Sequence, residues 1–270
     1  MPMPKQKLRL LSRSLLPRGQ PGSSALAAIR NDATASVTAV LDLVFPRHCV
    51  GCSATVDRPV GHLCWECFRS IEPGSGTCCE QCGLRVEGEI RHAFTCSVCE
   101  NDPPAFDRAR SAGKFGGVLR EMLHQFKYGR ATWLCSDLAD MLHGCVLAHY
   151  PVGELDAVVA VPLHAGKRRD RGYNQAALLA AELARRLDRP YPADVLVRTR
   201  ATPTQTRLHA AERRKNVRAA FAVRGPEWVR GRTILLVDDV MTTGATLSEV
   251  AATLRRAGAW RVWAATVARG

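Results

Sequence analysis

Four pairs of cysteines, each pair separated by two residues, fall within one stretch of the chain: Cys49/Cys52, Cys64/Cys67, Cys79/Cys82 and Cys96/Cys99. Two intervening residues let both thiolates of a knuckle reach one tetrahedral ion, and two knuckles complete a shell of four. Eight such ligands suffice for two closed Zn²⁺ sites, which would contribute folding energy rather than catalysis. Pairing first with second and third with fourth makes two successive ribbons. A cross-braced pairing satisfies the same spacing, and Cys78 is an alternative to Cys79 one residue further from Cys82. Cys135 and Cys145 lie outside the cluster and read as small apolar residues of a helix.

The second chemical pattern is ILLVDDVMTTGAT at residues 234–246. An apolar strand runs into Asp238 and Asp239, and a loop of Thr242, Thr243, Gly244, Ala245 and Thr246 opens a helix. Backbone N–H groups at such a junction form an anion site, and glycine lets the backbone approach closely. Paired carboxylates beside that cradle can accept hydrogen bonds from ribose hydroxyls and help to hold Mg²⁺. Neither a Walker loop nor a dinucleotide G-x-G-x-x-G stands at this junction.

The elements that must position these groups follow from composition and period. The chain has 270 residues, 46% hydrophobic and 23% charged, which excludes a wholly disordered protein. No run approaches the roughly 18 apolar residues that span a bilayer, so no membrane insertion is expected. A net charge of +13 favours phosphate-bearing partners, either nucleic acid or a polyanionic small molecule. The basic start is not followed by the continuous apolar core of an export signal, so a reducing, cytoplasmic compartment is expected.

Residues 1–41 read as a basic, disordered arm, with an amphipathic transit-like segment as the rival reading. Residues 42–103 carry the cysteine pairs and are too few to build an apolar core of their own. From 104 to 270 strands and helices alternate. Val118, Leu119, Met122, Leu123 and Phe126 mark a helical face, and a second helix is expected over 133–149. Strands are expected at 156–161, 233–237 and 261–267, and helices at 174–187 and 246–257. Ala177, Ala180, Ala184 and Leu187 form the stripe of the first of these helices. Near-continuous apolar strands between helices predict an α/β fold with a mostly parallel sheet covered on both faces. A basic loop is expected after the first apolar strand. Between Arg198 and Arg218, seven Lys or Arg face one acid, Glu212, as in a mobile lid over a diphosphate or a helix that faces nucleic acid.

The acidic strand and loop resemble the phosphoribosyl-diphosphate (PRPP) loop of type I phosphoribosyltransferases. The chain over about 42–270 is similar to the ComF family of competence-associated proteins. The likeness is carried by the cysteine pairs, HQFKYGR at 124–130, VPLHAGKRRDRGYNQ at 161–175, TQTRLHAAERRKNVRAAF at 204–221 and the PRPP loop.

That resemblance implies a type I phosphoribosyltransferase-like sheet with a small N-terminal zinc-ribbon domain. It implies that Asp238 and Asp239 contact the ribose hydroxyls as the catalytic pair, that Thr242 to Thr246 hold the 5′-phosphate, and that Lys167, Arg169 and Arg171 hold the diphosphate. The sequence departs from the family pattern at Ala165, often proline, and at Arg168, often apolar. The implied activity is binding of Mg²⁺ with PRPP and transfer of the phosphoribosyl group to an acceptor. The alternative is a non-enzymatic module for single-stranded DNA or a competence helicase.

Overall fold

A computed structural model of the chain describes residues 46–56, 61–74, 76–86, 88, 92–200 and 219–270. The expected basic arm at 1–41, and the basic stretch beyond Arg200 as far as Arg218, lie outside the described residues.

A four-stranded, wholly parallel sheet organises the described residues. Its strands are β1 (Arg108–Lys114), β2 (Ala157–Ala160), β5 (Thr233–Met241) and β6 (Arg261–Arg269), in the order β1-β6-β5-β2. A separate antiparallel pair, β3 (Leu196–Arg198) and β4 (Phe221–Val223), brackets the undescribed stretch. The central strands form where the sequence offers unbroken apolar runs: Ile234 to Val237 and Ala264 to Ala265 are fully buried. Helices α4 (Cys135–His149) and α6 (Gln175–Leu187) pack on each other and on the sheet, and α7 (Ala245–Arg256) packs on β5 and β6. Helix α3 (Gly117–Tyr128) buries Leu119, Met122, Leu123 and Phe126, as its period requires.

The expected elements are present with shifted ends. β5 continues through both aspartates to Met241, and α7 begins at Ala245. On α6 the buried stripe is wider than expected, with Ala176, Leu179 and Leu183 added and Ala177 only half-buried. Cys145 is buried on α4, whereas Cys135 is partly exposed.

Residues 165–171, expected as a loop, form a short helix, α5 (Ala165–Arg171). His164 caps its start by accepting the Gly166 N–H, and Gly172 ends it in the left-handed region at φ 84°. A cap, a run of Lys and Arg and a terminal glycine were the local signals for it.

The two ribbons lie N-terminal to the sheet, each a knuckle followed by a short helix: α1 (Trp65–Arg69) in the first and α2 (Ser97–Asn101) in the second. The thiols group as Cys49, Cys52, Cys64 and Cys67, and as Cys79, Cys82, Cys96 and Cys99, all within 4.8 Å of one another in each set. This is the successive pairing, with Cys78 in neither set. The Sγ atoms of Cys52 and Cys64 are 3.7 Å apart, and those of Cys82 and Cys96 are 3.8 Å apart. A tetrahedron with Zn–S bonds of 2.3 Å has edges of about 3.8 Å, so both tetrads fit structural zinc. Backbone N–H groups point at the sulfurs: Cys64 N–H donates to Cys49 Sγ and Cys96 N–H to Cys79 Sγ, each at 3.4 Å. Burial opposes ionisation of Cys49, yet the N–H groups of Cys64, Cys52 and Gly51 bring its thiol down to about 6.

The second ribbon and the segment just before it cover the β1 edge of the sheet. Ala109 N–H donates to the Gln81 carbonyl (2.7 Å), Gly74 N–H to the Ala112 carbonyl (2.9 Å) and Lys114 N–H to the Glu72 carbonyl (2.9 Å). Gly74 is required there, because a Cβ would come within 1.8 Å of the Ser111 carbonyl oxygen. Arg110, only 5% exposed, points into the ribbon and donates to the carbonyls of Cys79 (3.3 Å) and Glu80 (3.0 Å). From the neighbouring strand, Arg269 donates to the Cys82 carbonyl at 2.6 Å. The first ribbon is fastened differently, with His62 N–H and Nδ1 bonded to the two oxygens of Asp137 on α4, both at 3.0 Å.

Burial separates the tetrads: all four sulfur residues of the second are buried, whereas Cys52 of the first is exposed. Elemental analysis is expected to find two zinc ions per chain. Cys82→Ser is expected to unfold or aggregate the protein by freeing the β1 edge, and Cys52→Ser to lower the melting temperature while the sheet stays folded. Equal losses in the two variants would refute this division.

Candidate functional site

The end of β5 carries Asp238 and Asp239 into a cleft of about 170 Å³. Its walls come from the end of α3 with Lys127, the turn after β2 with Val161 to Leu163, the α5 to α6 region with Lys167 and Arg171, and the end of β3 with Arg198. Thr246, in the first turn of α7, also faces this cleft. Six charged side chains from four separate segments thus meet in one small space, four of them cations.

The acidic pair is asymmetric. Burial, and then the neighbouring Asp239 carboxylate, push the Asp238 carboxyl up to about 7, although Lys127 and Arg198 pull the other way. Asp238 Oδ1 accepts the backbone N–H of Asp239 at 2.9 Å. Asp239 has a cation of its own, Lys127 Nζ, at 3.1 Å from Oδ2. Lys167 is held below its ordinary pKa by burial and by Arg198 and Arg171 beside it. Cations gathered this closely favour the entry of a further anion.

Helix period explains which basic residues of 165–171 reach this space. Lys167 and Arg171 are four apart and share a face, whereas Arg169 lies roughly 200° round the helix from Lys167 and is exposed. Of the three residues expected to hold diphosphate, the fold brings two to the cleft and leaves Arg169 outside its lining.

The loop after β5 is divided as well. Gly244 takes φ 76°, a left-handed conformation that glycine adopts freely, and the N–H of Ala245 meets Thr243 Oγ1 at 3.4 Å. No acidic residue occupies the first turn of α7. Thr242, Thr243, Gly244 and Ala245 line a neighbouring cleft of about 540 Å³, walled on its other side by Cys82, Cys96 and Cys99 of the second ribbon. The cysteine tetrads are ribbon centres apart from the carboxylate cleft, and no tetrad cysteine lines it.

Lys127 and a set of supporting bonds carried no role in the sequence, and Arg198, expected as the first cation of a basic stretch over a diphosphate or facing nucleic acid, lies in the cleft wall. Tyr173 donates its hydroxyl proton to the Phe126 carbonyl, Gln175 Nε2 donates to the Lys127 carbonyl (3.4 Å), and Arg171 Nη2 donates to the Tyr128 hydroxyl (3.3 Å). Arg171 also lies over the Tyr128 ring at 5.0 Å. These bonds tie the end of α3 to the α5 to α6 junction. The signal for them was the pair of segments HQFKYGR and RGYNQ, each polar and aromatic directly after or before a helical stripe.

Comparison with known proteins adds the following. Residues 174–270 match the phosphoribosyl transferase domain and residues 40–103 the double zinc ribbon domain. The chain is 35% identical over 205 residues to the DNA utilization protein YhgH of Escherichia coli O157:H7, covering 74% of this chain and 88% of that protein. It is 33% identical over 219 residues to Competence protein F of Haemophilus influenzae, covering 79% and 93%. Among solved structures, glutamine phosphoribosylpyrophosphate amidotransferase from B. subtilis overlays 49% of this chain and 25% of its own, with 22% identity and a TM-score of 0.34.

Asp238 provides a test of the electrostatics. Its carboxyl ionises near 3.8 ordinarily and at about 7 in the fold, so the folded chain binds that proton more tightly and stability falls as pH rises from about 4 to 7. Asp238→Asn removes the penalty. Its melting temperature is expected to exceed that of the parent by several degrees at pH 8 and to match it near pH 4. A variant less stable than the parent at pH 8 would show that burial does not dominate at this carboxyl.

Proposed function

The chain belongs to the ComF family, competence and DNA-uptake proteins that join a double zinc ribbon to a phosphoribosyltransferase-fold domain, and from that premise we propose that its carboxylate cleft binds PRPP with Mg²⁺ and transfers the phosphoribosyl group to a nitrogen acceptor. One observation supports this above the others: two adjacent carboxylates and four cations converge on one cleft, with Thr246 from the first turn of α7 in its wall. A ligand that suits such a set bears hydroxyls for the carboxylates and several negative charges for the cations.

In this reading Asp238 and Asp239 accept the ribose hydroxyls and fix the sugar. Lys167, Arg171 and Arg198 receive the charge that builds on the departing diphosphate as the bond to the ribose carbon breaks and the ring takes on oxocarbenium character. Loop residues 242–246 supply N–H and hydroxyl donors for the 5′-phosphate. Mg²⁺, when bound, neutralises diphosphate oxygens and adds to the electrostatic stabilisation of the leaving group. The acceptor nitrogen attacks with its own lone pair, so no side chain is assigned as general base.

A second reading concerns the first ribbon. Trp65 (59% exposed) and Phe68 (39% exposed) stand on α1 with ring centroids 5.7 Å apart and planes inclined by 22°, next to Arg69. Stacked, exposed rings beside a cation suit the bases and phosphates of single-stranded DNA, a partner in keeping with the relatives named for DNA utilization and competence. A competence helicase is the protein partner proposed on the same ground.

Calorimetric titration with Mg²⁺ and PRPP is expected to show one site per chain, lost in the Asp238→Asn/Asp239→Asn double variant. Diphosphate release during a screen of nucleobases would identify the acceptor. Unaltered PRPP affinity in the double variant would remove the acidic pair from the site. For the second reading, Trp65→Ala is expected to weaken single-stranded DNA binding by about 1–3 kcal/mol, the usual worth of one stacked base. An unchanged affinity would place the DNA elsewhere.

A further inference from the structure

Four cations line the carboxylate cleft beside its two acids: Lys127, Lys167, Arg171 and Arg198 with Asp238 and Asp239. Lys127 is in ionic contact with Asp239 of the acidic pair, and the contact is sheltered. Its ammonium lies 3.1 Å from Asp239 Oδ2, with the two side chains 20% and 13% exposed.

The lysine is delivered there by a fastened backbone. Gln175 holds the carbonyl of Lys127 itself, Tyr173 holds that of Phe126, and Arg171 holds the hydroxyl of Tyr128. Only the side chain is left to move. Two adjoining carboxylates are hard oxygen donors of the kind that hold Mg²⁺ or Mn²⁺, so the donor set fits a divalent ion. An ammonium already on a carboxylate oxygen opposes a divalent ion there, because like charges at such separations repel strongly where water is scarce.

We propose that Lys127 is the resident counter-cation of the acidic pair, holding the Asp239 oxygen so that free divalent metal is kept out of the empty cleft and enters only with a polyanionic ligand that draws the lysine away. The identity of that ligand rests on the phosphoribosyl-diphosphate reading of the cleft. The hold of Lys127 on Asp239 does not. The remaining cations support the same order of events: Lys167, Arg171 and Arg198 repel a bare metal ion and attract a diphosphate, whose charge then offers Lys127 a second partner.

The test is Mn²⁺ binding to the zinc-loaded full chain at pH 8, followed by the electron paramagnetic resonance of free Mn²⁺. Without other ligands, the parent protein and Lys127→Arg are expected to bind Mn²⁺ weakly, since both keep a cation on Asp239. Lys127→Met is expected to bind it at least about 10-fold more tightly, and adding Asp239→Asn to that variant is expected to abolish the gain. Lys127→Gln serves as the second variant should the methionine disturb packing. Equal Mn²⁺ affinity in the parent and the neutral variants would overturn the proposal, as would a gain that survives Asp239→Asn. In a parallel arm with PRPP, the parent is expected to take up Mn²⁺ and PRPP together. A parent that takes up no PRPP at any Mn²⁺ concentration removes PRPP as the ligand, while the arms without PRPP still decide the role of Lys127.

Discussion

The fold depends on how one edge of its sheet is closed. β1 is an edge strand of seven residues, and an uncovered edge offers unpaired N–H and C=O groups to any other chain. Here the segment between the ribbons and the second knuckle itself bond to that edge, and Arg110 and Arg269 reach from the sheet to the carbonyls beside the cysteines. A ribbon of this size has little apolar core and takes its rigidity from its metal. The sheet's boundary is therefore set by coordination chemistry, and through β6 and β5 that boundary is connected to the loop that follows the acidic pair.

The cleft itself shows electrostatics arranged against stability. A carboxyl pushed up to about 7 and cations crowded beside one another each cost free energy in the folded state. Groups strained in this way are concentrated at functional sites, where a bound ligand can relieve them. The hydrogen bonds at the end of α3 serve the same end by keeping the lysine from relaxing away with its backbone.

Legibility followed the range of the interactions. The cysteine pairs could be read because a knuckle is local, and their grouping into two tetrads is what the fold adopts. β5 and β6 could be read because they are buried on both faces and so are apolar at nearly every position. β1 could not be read: RARSAGK owes its burial to the ribbon lying over it, and no apolar period marks it. Helix α5 was hidden by its charge, since a helix without an apolar stripe has no period to detect. At the site, the acidic pair and the loop could be found by type and spacing, but the contact of Lys127 with Asp239 joins residues more than a hundred positions apart and exists only once the sheet has formed. The lack of Arg169 from the cleft lining is a matter of helical phase, which a loop assignment could not contain.

The two-sided pairing of β1 also bears on the order in which the molecule is made. Its partner within the sheet, β6, is the last strand of the described fold, so during synthesis β1 leaves the ribosome long before β6 exists. Domains form progressively as the chain emerges, and a strand that waits for a distant partner is exposed to wrong pairings meanwhile. The ribbons precede β1, and all eight of their metal-ligand cysteines have been made before it. A metal-loaded nascent ribbon can therefore act as a template that shields the first strand on one side, keeping it in register for a partner about 150 residues downstream.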